Sequence, residues 1–328
     1  MYIIIKKEIF IYYITNIMKL PENINNTIEA EIRDICEQTK KKKTILVLPG
    51  GGMKGLILLG GLKALEEKNL LKDITTFAGT SIGGYLCILL ICGFTVNEII
   101  QFGKLFDFSK TISIKIDNLF QKFSVDNADG FCLVFKKLLQ SKKINPNISL
   151  LDLYKKTNKK LILCSVCLNN KEIVYVSHEN FPNLDILTAM RMTTAVPLLF
   201  PPVLYDNKVY IDGGILNNFP IDIFDKIDDK INDIIGIVIK DDIKITHEIN
   251  SFDSYLLSVF DTLVLSWSQR AIYGKDKYLK SMLIIPIPES SNKSFDLSID
   301  IDYKIKMIDI GYNYVIQNID SLYSSSES

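Results

Sequence analysis

The sequence is almost without histidine: its 328 residues hold two, His178 and His247. Serine hydrolases ordinarily take a histidine as general base, so such chemistry must rest here on one of these two or on a different base. His247 sits between Thr246 and Glu248 in a charged stretch, and His178 ends a strand-like run beside Glu179 and Asn180. Both read as surface or strand-end residues. Net charge is also lacking, since Lys plus Arg and Asp plus Glu each total 38. A neutral chain gives nucleic acid no electrostatic footing and feels no global pull toward anionic membranes. Any lipid contact then has to be local and largely apolar.

Long apolar runs are missing despite a hydrophobic content of 48%. Met1–Ile5 and Ile9–Ile17 are separated by Lys6, Lys7 and Glu8, and neither approaches the roughly 18 apolar residues of a spanning helix. A convincing small-residue cleavage site is absent as well, so the N-terminus reads as a loosely docked extension. Lys40–Lys43 closes it as a solvated linker. The six cysteines are not spaced as a disulfide framework. Cys164 and Cys167 form C-x-x-C within a strand-like run, where residues three apart point to opposite faces. They read as buried thiols rather than as a metal site. No internal repeat and no composition break follow Thr44. The expected organisation is an extension over 1–43, one domain over 44–318 and a Ser-rich tail over 319–328.

What is present begins abruptly. Thr44–Leu48 reads as a buried strand, Gly50–Gly52 as a tight loop and Lys54–Lys68 as a helix. Ile74–Ala78 is a second strand and Gly83–Cys92 a second buried helix. This alternation predicts an α/β fold with a mainly parallel sheet. Asn97–Lys160 is mostly helical by pattern. Further strands are expected at Leu161–Leu168, Glu172–Ser177, Val203–Tyr205, Lys208–Ile211, Ile234–Lys240 and Met282–Ile287, and helices at Phe252–Ile272 and Asp302–Asn318. Trp267, Phe106, Phe108, Phe120 and Phe123 are expected in the core rather than against a membrane, while Leu86–Ile91 after the second strand suits core burial and the lining of an apolar pocket equally well.

Three short motifs carry chemistry. The first is Pro49-Gly50-Gly51-Gly52-Met53-Lys54-Gly55, between a strand and a helix. Consecutive glycines at a helix N-terminus can aim several N–H groups at a phosphate or at the oxyanion of an acyl intermediate. A P-loop is excluded because Gly55 follows Lys54, but Gly50, Gly52 and Gly55 match the dinucleotide fingerprint, with Asp73 at the ribose position. The second is Gly79-Thr80-Ser81-Ile82-Gly83, a G-x-S-x-G between strand and helix. That context suits a nucleophile elbow, in which small neighbours admit a strained serine, and it equally suits a serine capping a helix. The third is Asp212-Gly213-Gly214, after the strand Lys208–Ile211. It is either an ordinary turn or a carboxylate base, weak at an unperturbed pKa of about 3.9. The run Asp126-Asn127-Ala128-Asp129-Gly130 lacks the ligand spacing of a calcium loop.

Taken in order, Gly50–Gly55, Gly79–Gly83 and Asp212–Gly214 resemble the oxyanion loop, elbow and D-G-[GA] motif of the patatin-like phospholipase family. Ala189–Pro202, Asp129-Gly130 and Gly311-Tyr312 extend the resemblance from Thr44 to Tyr312. It implies a three-layer α/β/α fold with a mainly parallel central sheet. It also implies a lipid acyl hydrolase of phospholipase A type with a Ser-Asp dyad, Ser81 as nucleophile and Asp212 as base. Gly51 and Gly52, with Met53, would supply oxyanion N–H groups, with Gly50, Lys54, Gly55, Gly79, Gly83 and Gly213 in support. Pro49 departs from the acidic or small residue that often precedes the glycines. The chemistry calls for no cofactor and no metal. The expected partner is a phospholipid or membrane surface, with no nucleic acid, and the expected location is cytoplasmic and peripheral to membranes. Rival readings are an esterase or acyltransferase on other esters, a catalytically silent lipid-binding protein, and a nucleotide-binding protein using Gly50–Gly55.

Overall fold

Four aliphatic residues without a breaker make strand β1, Ile45–Leu48, and all four are buried. The remaining strands are β2 (Thr76–Thr80), β3 (Lys160–Cys167), β4 (Glu172–Val176), β5 (Val203–Tyr205), β6 (Lys208–Asp212), β7 (Ile234–Lys240) and β8 (Met282–Pro286). In the computed structural model they form one eight-stranded sheet in the order β5-β6-β3-β2-β1-β7-β8, with β4 beside β3. Pairing is parallel from β3 through β8 and antiparallel where β4, β5 and β6 join.

The structure describes residues 42–323 except 114, 116, 226–227, 241–248, 252–253, 256–257, 260–261, 263–265, 267–271 and 288–298. Residues 1–41 of the N-terminal extension, His247, Trp267, the end of the Ser-rich tail and most of the expected helix over 252–272 therefore lie outside the described residues. Residues 43–319 form one compact unit. Among the described residues its continuous α-helices are α1 (Gly55–Glu67), α2 (Ile82–Ile91), α3 (Val96–Leu105), α4 (Asp117–Lys122), α5 (Asp129–Ser141), α6 (Leu150–Thr157), α7 (Ile186–Thr194) and α8 (Ile301–Asn318). None of the described helices is long and apolar enough to cross a membrane.

The alternation of a strand explains the layers. Ile45, Val47, Ala78, Ile162, Ile234 and Val238 pack on one face against Phe219, Ile221, Phe224 and Tyr278. On the other face Ile237 meets α1 at Gly61, and Leu163 meets α2 at Gly84. Helix α1 is enclosed nearly all round, burying Leu56, Ile57, Leu58, Leu59, Leu62 and Leu65, each worth roughly 1.5–3 kcal/mol. It lies against α8 at a separation only glycine permits. A Cβ at Gly60 would fall 1.8 Å from the Ile308 carbonyl oxygen, and one at Gly311 1.9 Å from that of Ile57. The three-layer, mainly parallel α/β arrangement expected from the sequence is the one observed.

Two strand boundaries differ from expectation in a way that matters. β2 starts at Thr76 rather than at residue 74, because the Ile74 N–H turns back to the Leu71 carbonyl. It therefore runs through Gly79 and Thr80 directly into Ser81. β6 likewise includes Asp212 as its last residue.

The two ends are brought together by β3. β4 occupies one edge of β3 from Leu163 to Cys167, so β2 and β6 must share the other. β2 pairs with it as far as Thr80 opposite Cys164, and β6 takes over with Asp212 opposite Ser165. The residue after Thr80 and the residue ending β6 are thus held at adjacent levels of one strand.

One core expectation is overturned. Phe120 and Phe123 are 86% and 67% exposed. Helix α4 has only six residues and buries none of them, so it presents no face to the core. Phe106 and Phe108 are half-buried and pack with Phe102 at ring separations of 4.8–5.8 Å.

Candidate active site

Ser81 has φ 53° and ψ −124°, a region sparsely populated by residues with a side chain and costing on the order of 1–3 kcal/mol. Close packing around it enforces the turn. A Cβ at Gly79 would lie 2.6 Å from backbone atoms of Gly83 and Gly84, and one at Gly83 2.4 Å from the Pro49 carbonyl oxygen. The Ser81 N–H donates to Thr193 Oγ1 at 3.0 Å, and that hydroxyl donates to the Cys164 carbonyl at 2.6 Å. Ser81 stands at the N-cap of α2, yet its hydroxyl makes no capping bond. The capping role weighed from the sequence is therefore not the one the hydroxyl plays.

Asp212 is fully buried. Its N–H donates to the Ala195 carbonyl, and its Oδ1 accepts the Gly214 N–H at 2.7 Å. Oδ2 is buried and has no hydrogen-bond partner. Burial pushes the carboxyl up from 3.8 to about 7, against smaller opposing pulls from the nearby Ser81 hydroxyl and the Gly214 N–H. The hydroxyl is thus close enough to favour the carboxylate without reaching hydrogen-bond geometry with Oδ2. Gly213 is required by the turn, since a Cβ there would sit 2.4 Å from the Cys164 carbonyl oxygen.

The glycine loop leaves β1 beside the elbow. Gly50 is clamped by Asn218: its N–H donates to the Asn218 carbonyl at 3.1 Å, and its own carbonyl accepts Asn218 Nδ2 at 3.2 Å. A Cβ at Gly50 would lie 3.1 Å from Ser81 Cβ, so the loop passes directly against the serine. Gly52–Lys54 form one 3-10 turn, which opens with Gly52 at φ 56° and holds the Lys54 N–H on the Gly51 carbonyl. Among the described residues no acceptor engages the N–H groups of Gly51, Gly52 and Met53. Lys54 is buried, and Gly55 packs on Ile82, where a Cβ would come within 2.6 Å.

Ser81, Asp212 and the glycine loop thus meet at the C-terminal ends of β1 and β2. Asp73 does not join them. It precedes β2, at the opposite end of the sheet from Gly50, which removes the ribose partner from the dinucleotide reading. His178 is also remote in direction. It follows the antiparallel β4, stacks on Tyr154 at 3.8 Å, and neighbours Glu179, which pairs with Lys160 at the start of β3. The carboxylate of Asp126 is occupied by the N–H groups of Ser113 and Ala128 at 2.6 and 2.5 Å. Among the described residues no group of His, Cys, Asp and Glu could hold a metal ion. Cys164 and Cys167 are both buried on β3, and burial pushes the Cys164 thiol up.

Sequence reasoning missed Thr193 and Asn218. Thr193 lay inside the Ala189–Pro202 passage, which was legible only as a likeness to the segment before the family's catalytic strand; the helix Ile186–Thr194 that carries it was not expected. Asn217-Asn218-Phe219-Pro220 reads as a turn signal, and nothing local assigns it to Gly50.

Comparison with known proteins decides the family. The family described as Patatin-like phospholipase matches residues 46–225. The chain belongs to this family. Its similarity reaches 35% identity over 192 residues with "Probable lipid hydrolase 463L" of Invertebrate iridescent virus 6, covering 57% of this chain and 65% of that protein. The "Uncharacterized protein R571" of Acanthamoeba polyphaga mimivirus is 28% identical over 287 residues, covering 84% of this chain and 93% of its own. Among solved structures, VipD from Legionella pneumophila superposes with a TM-score of 0.55 at 20% identity, over 86% of this chain and 67% of that one. The VipD likeness bears on the patatin-like fold alone.

Proposed function

We propose that this chain hydrolyses acyl esters of glycerophospholipids through an acyl-serine intermediate, within a catalytic domain spanning residues 44–318. Ser81 is the nucleophile, Asp212 the base, and the N–H groups of Gly51, Gly52 and Met53 the oxyanion donors. Family membership and the likeness to a protein named a probable lipid hydrolase support lipid acyl hydrolysis. One observation carries the dyad: a buried carboxylate oxygen without a partner, beside the Ser81 hydroxyl, on a group whose pKa is raised to about 7.

In this reading the Ser81 oxygen attacks the ester carbonyl carbon while its proton passes to Asp212. The carbonyl oxygen takes the negative charge and is met by the loop N–H groups, each such donor being worth roughly 3–4 kcal/mol in the transition state. The tetrahedral species collapses by breaking the carbon–oxygen bond to the lysolipid, whose alcohol leaves with the proton from Asp212. Water then attacks the acyl-Ser81 ester, giving its proton to Asp212, and the acid departs as the proton returns to Ser81.

The test is fatty-acid release from mixed phospholipid vesicles by the parent chain, Ser81→Ala and Asp212→Asn. Release by the parent and background release by both folded variants is expected. Activity surviving Ser81→Ala would sink the mechanism. Turnover of short soluble esters with none of vesicle lipid would replace the phospholipid by a smaller ester.

A further inference from the structure

We propose that Lys275 is a positioning residue for the Ser81–Asp212 site, acting through residues 217–219. The proposal rests on the hydrolase reading above and adds to it a residue that lies outside the family-matched stretch 46–225.

Residues 217–219 touch all three motifs of the site. The Asn217 carbonyl accepts the Thr80 hydroxyl at 3.0 Å, next to the nucleophile. Asn218 holds both polar groups of Gly50 at the head of the glycine loop. The Asn217 N–H donates to the Gly213 carbonyl at 2.8 Å, just after Asp212. A shift of this segment therefore moves elbow, loop and base relative to one another.

Lys275 secures the segment from beneath. Its side chain is 9% exposed, and Nζ donates to the Phe219 carbonyl at 2.6 Å and to Asn217 Oδ1 at 3.2 Å, with Asp222 Oδ2 at 3.3 Å. An ammonium has three donors, and three acceptors surround it here. The Asn217 amide is completed by Nδ2, which donates to the Tyr175 hydroxyl and to Asp222 Oδ1 at 2.9 and 2.8 Å. Neutral Met in place of Lys275 would leave the Phe219 carbonyl and the Asn217 amide oxygen without this donor, and the segment would relax toward other partners. Displacements near 1 Å suffice to lower a rate about 100-fold when reacting groups depend on alignment.

The experiment uses the full chain with a soluble short-chain acyl ester and compares parent, Lys275→Met, Thr80→Val and the double variant. Folding is followed by circular dichroism. We expect Lys275→Met to lower kcat about tenfold or more with KM within about twofold, because alignment and not ester binding is disturbed. Thr80→Val releases the same segment from the elbow side, so the double variant should be little worse than the poorer single, a coupling that general destabilisation does not produce. A folded Lys275→Met with parental kcat, or losses that multiply independently, overturns the proposal. Should Lys275→Met fail to fold, Thr80→Val decides alone: a fall in kcat at constant KM supports the hold, and a parental kcat overturns it. A parent that neither turns over the ester nor labels at Ser81 with a fluorophosphonate refutes the hydrolase reading and this proposal together. An active parent with an indifferent Lys275→Met refutes the proposal only.

Discussion

Replacing Asp212 with asparagine should separate stability from activity. The side chain keeps its shape, and its amide oxygen can still accept the Gly214 N–H that Oδ1 accepts at 2.7 Å. The buried charge disappears. In the parent, burial raises this carboxyl from 3.8 to about 7, so between those values the folded protein holds a proton that the unfolded chain has lost. Stability then falls as pH rises through this window and levels off above about 7. A rise of that size corresponds to about 4 kcal/mol at about 1.4 kcal/mol per pH unit, an upper figure because interiors relax around a charge. Asp212→Asn should therefore be more stable than the parent by on the order of 2–4 kcal/mol at pH 8. The gain should vanish toward pH 4, while ester hydrolysis drops to background. Urea unfolding at half-unit steps from pH 4 to 8.5 reads both arms. A stability difference that does not change with pH, or an asparagine variant weaker than the parent at pH 8, refutes the account of Asp212 as a charge held at the expense of the fold.

In the proposed mechanism the same carboxyl sets the rate profile: a base must be ionised, so kcat/KM on a soluble ester should rise with pH through about 7 and then plateau. A profile flat from pH 5 to 9 would remove Asp212 from that role. Thr193→Val strips the hydroxyl that accepts the Ser81 N–H; thermal and kinetic assays should find about 1–3 kcal/mol of stability lost and a lower kcat. Gly83→Ala places a methyl 2.4 Å from the Pro49 carbonyl oxygen, a backbone atom that cannot swing aside, so little folded protein is expected by circular dichroism. Phe120→Ser together with Phe123→Ser removes exposed rings, so unfolding should shift by no more than about 1 kcal/mol. If these rings meet lipid, vesicle hydrolysis falls while soluble-ester hydrolysis holds; equal rates on both substrates would show that they do not.

The sheet and its order of motifs were legible because each signal was local: an apolar run, a glycine loop, a small–Ser–small turn. Ser81 stood out as a candidate from its strand–turn–helix context, whereas Asp212 was singled out only by likeness, since Asp-Gly-Gly alone is an ordinary turn. What local pattern could not reveal was long-range pairing. Asn218 reaches Gly50 and Thr193 reaches Ser81 across the fold, and neither has a sequence neighbour that betrays its partner. The exposure of Phe120 and Phe123 was misread because aromatic content suggests a core, whereas a six-residue helix has no face long enough to bury.

The shared edge of β3 has a consequence for how freely this protein can vary. Thr80, the residue before Ser81, and Asp212 are mounted on neighbouring rungs, Cys164 and Ser165, of one strand, so the spacing of the proposed nucleophile and base is a matter of pairing register and not of the length of chain between them. Segments inserted at the turn between α5 and α6 would lengthen the molecule without retuning the dyad. A single-residue slip of β6 along β3 would turn Asp212 to the opposite face of the sheet and disarm the site while leaving most of the core intact.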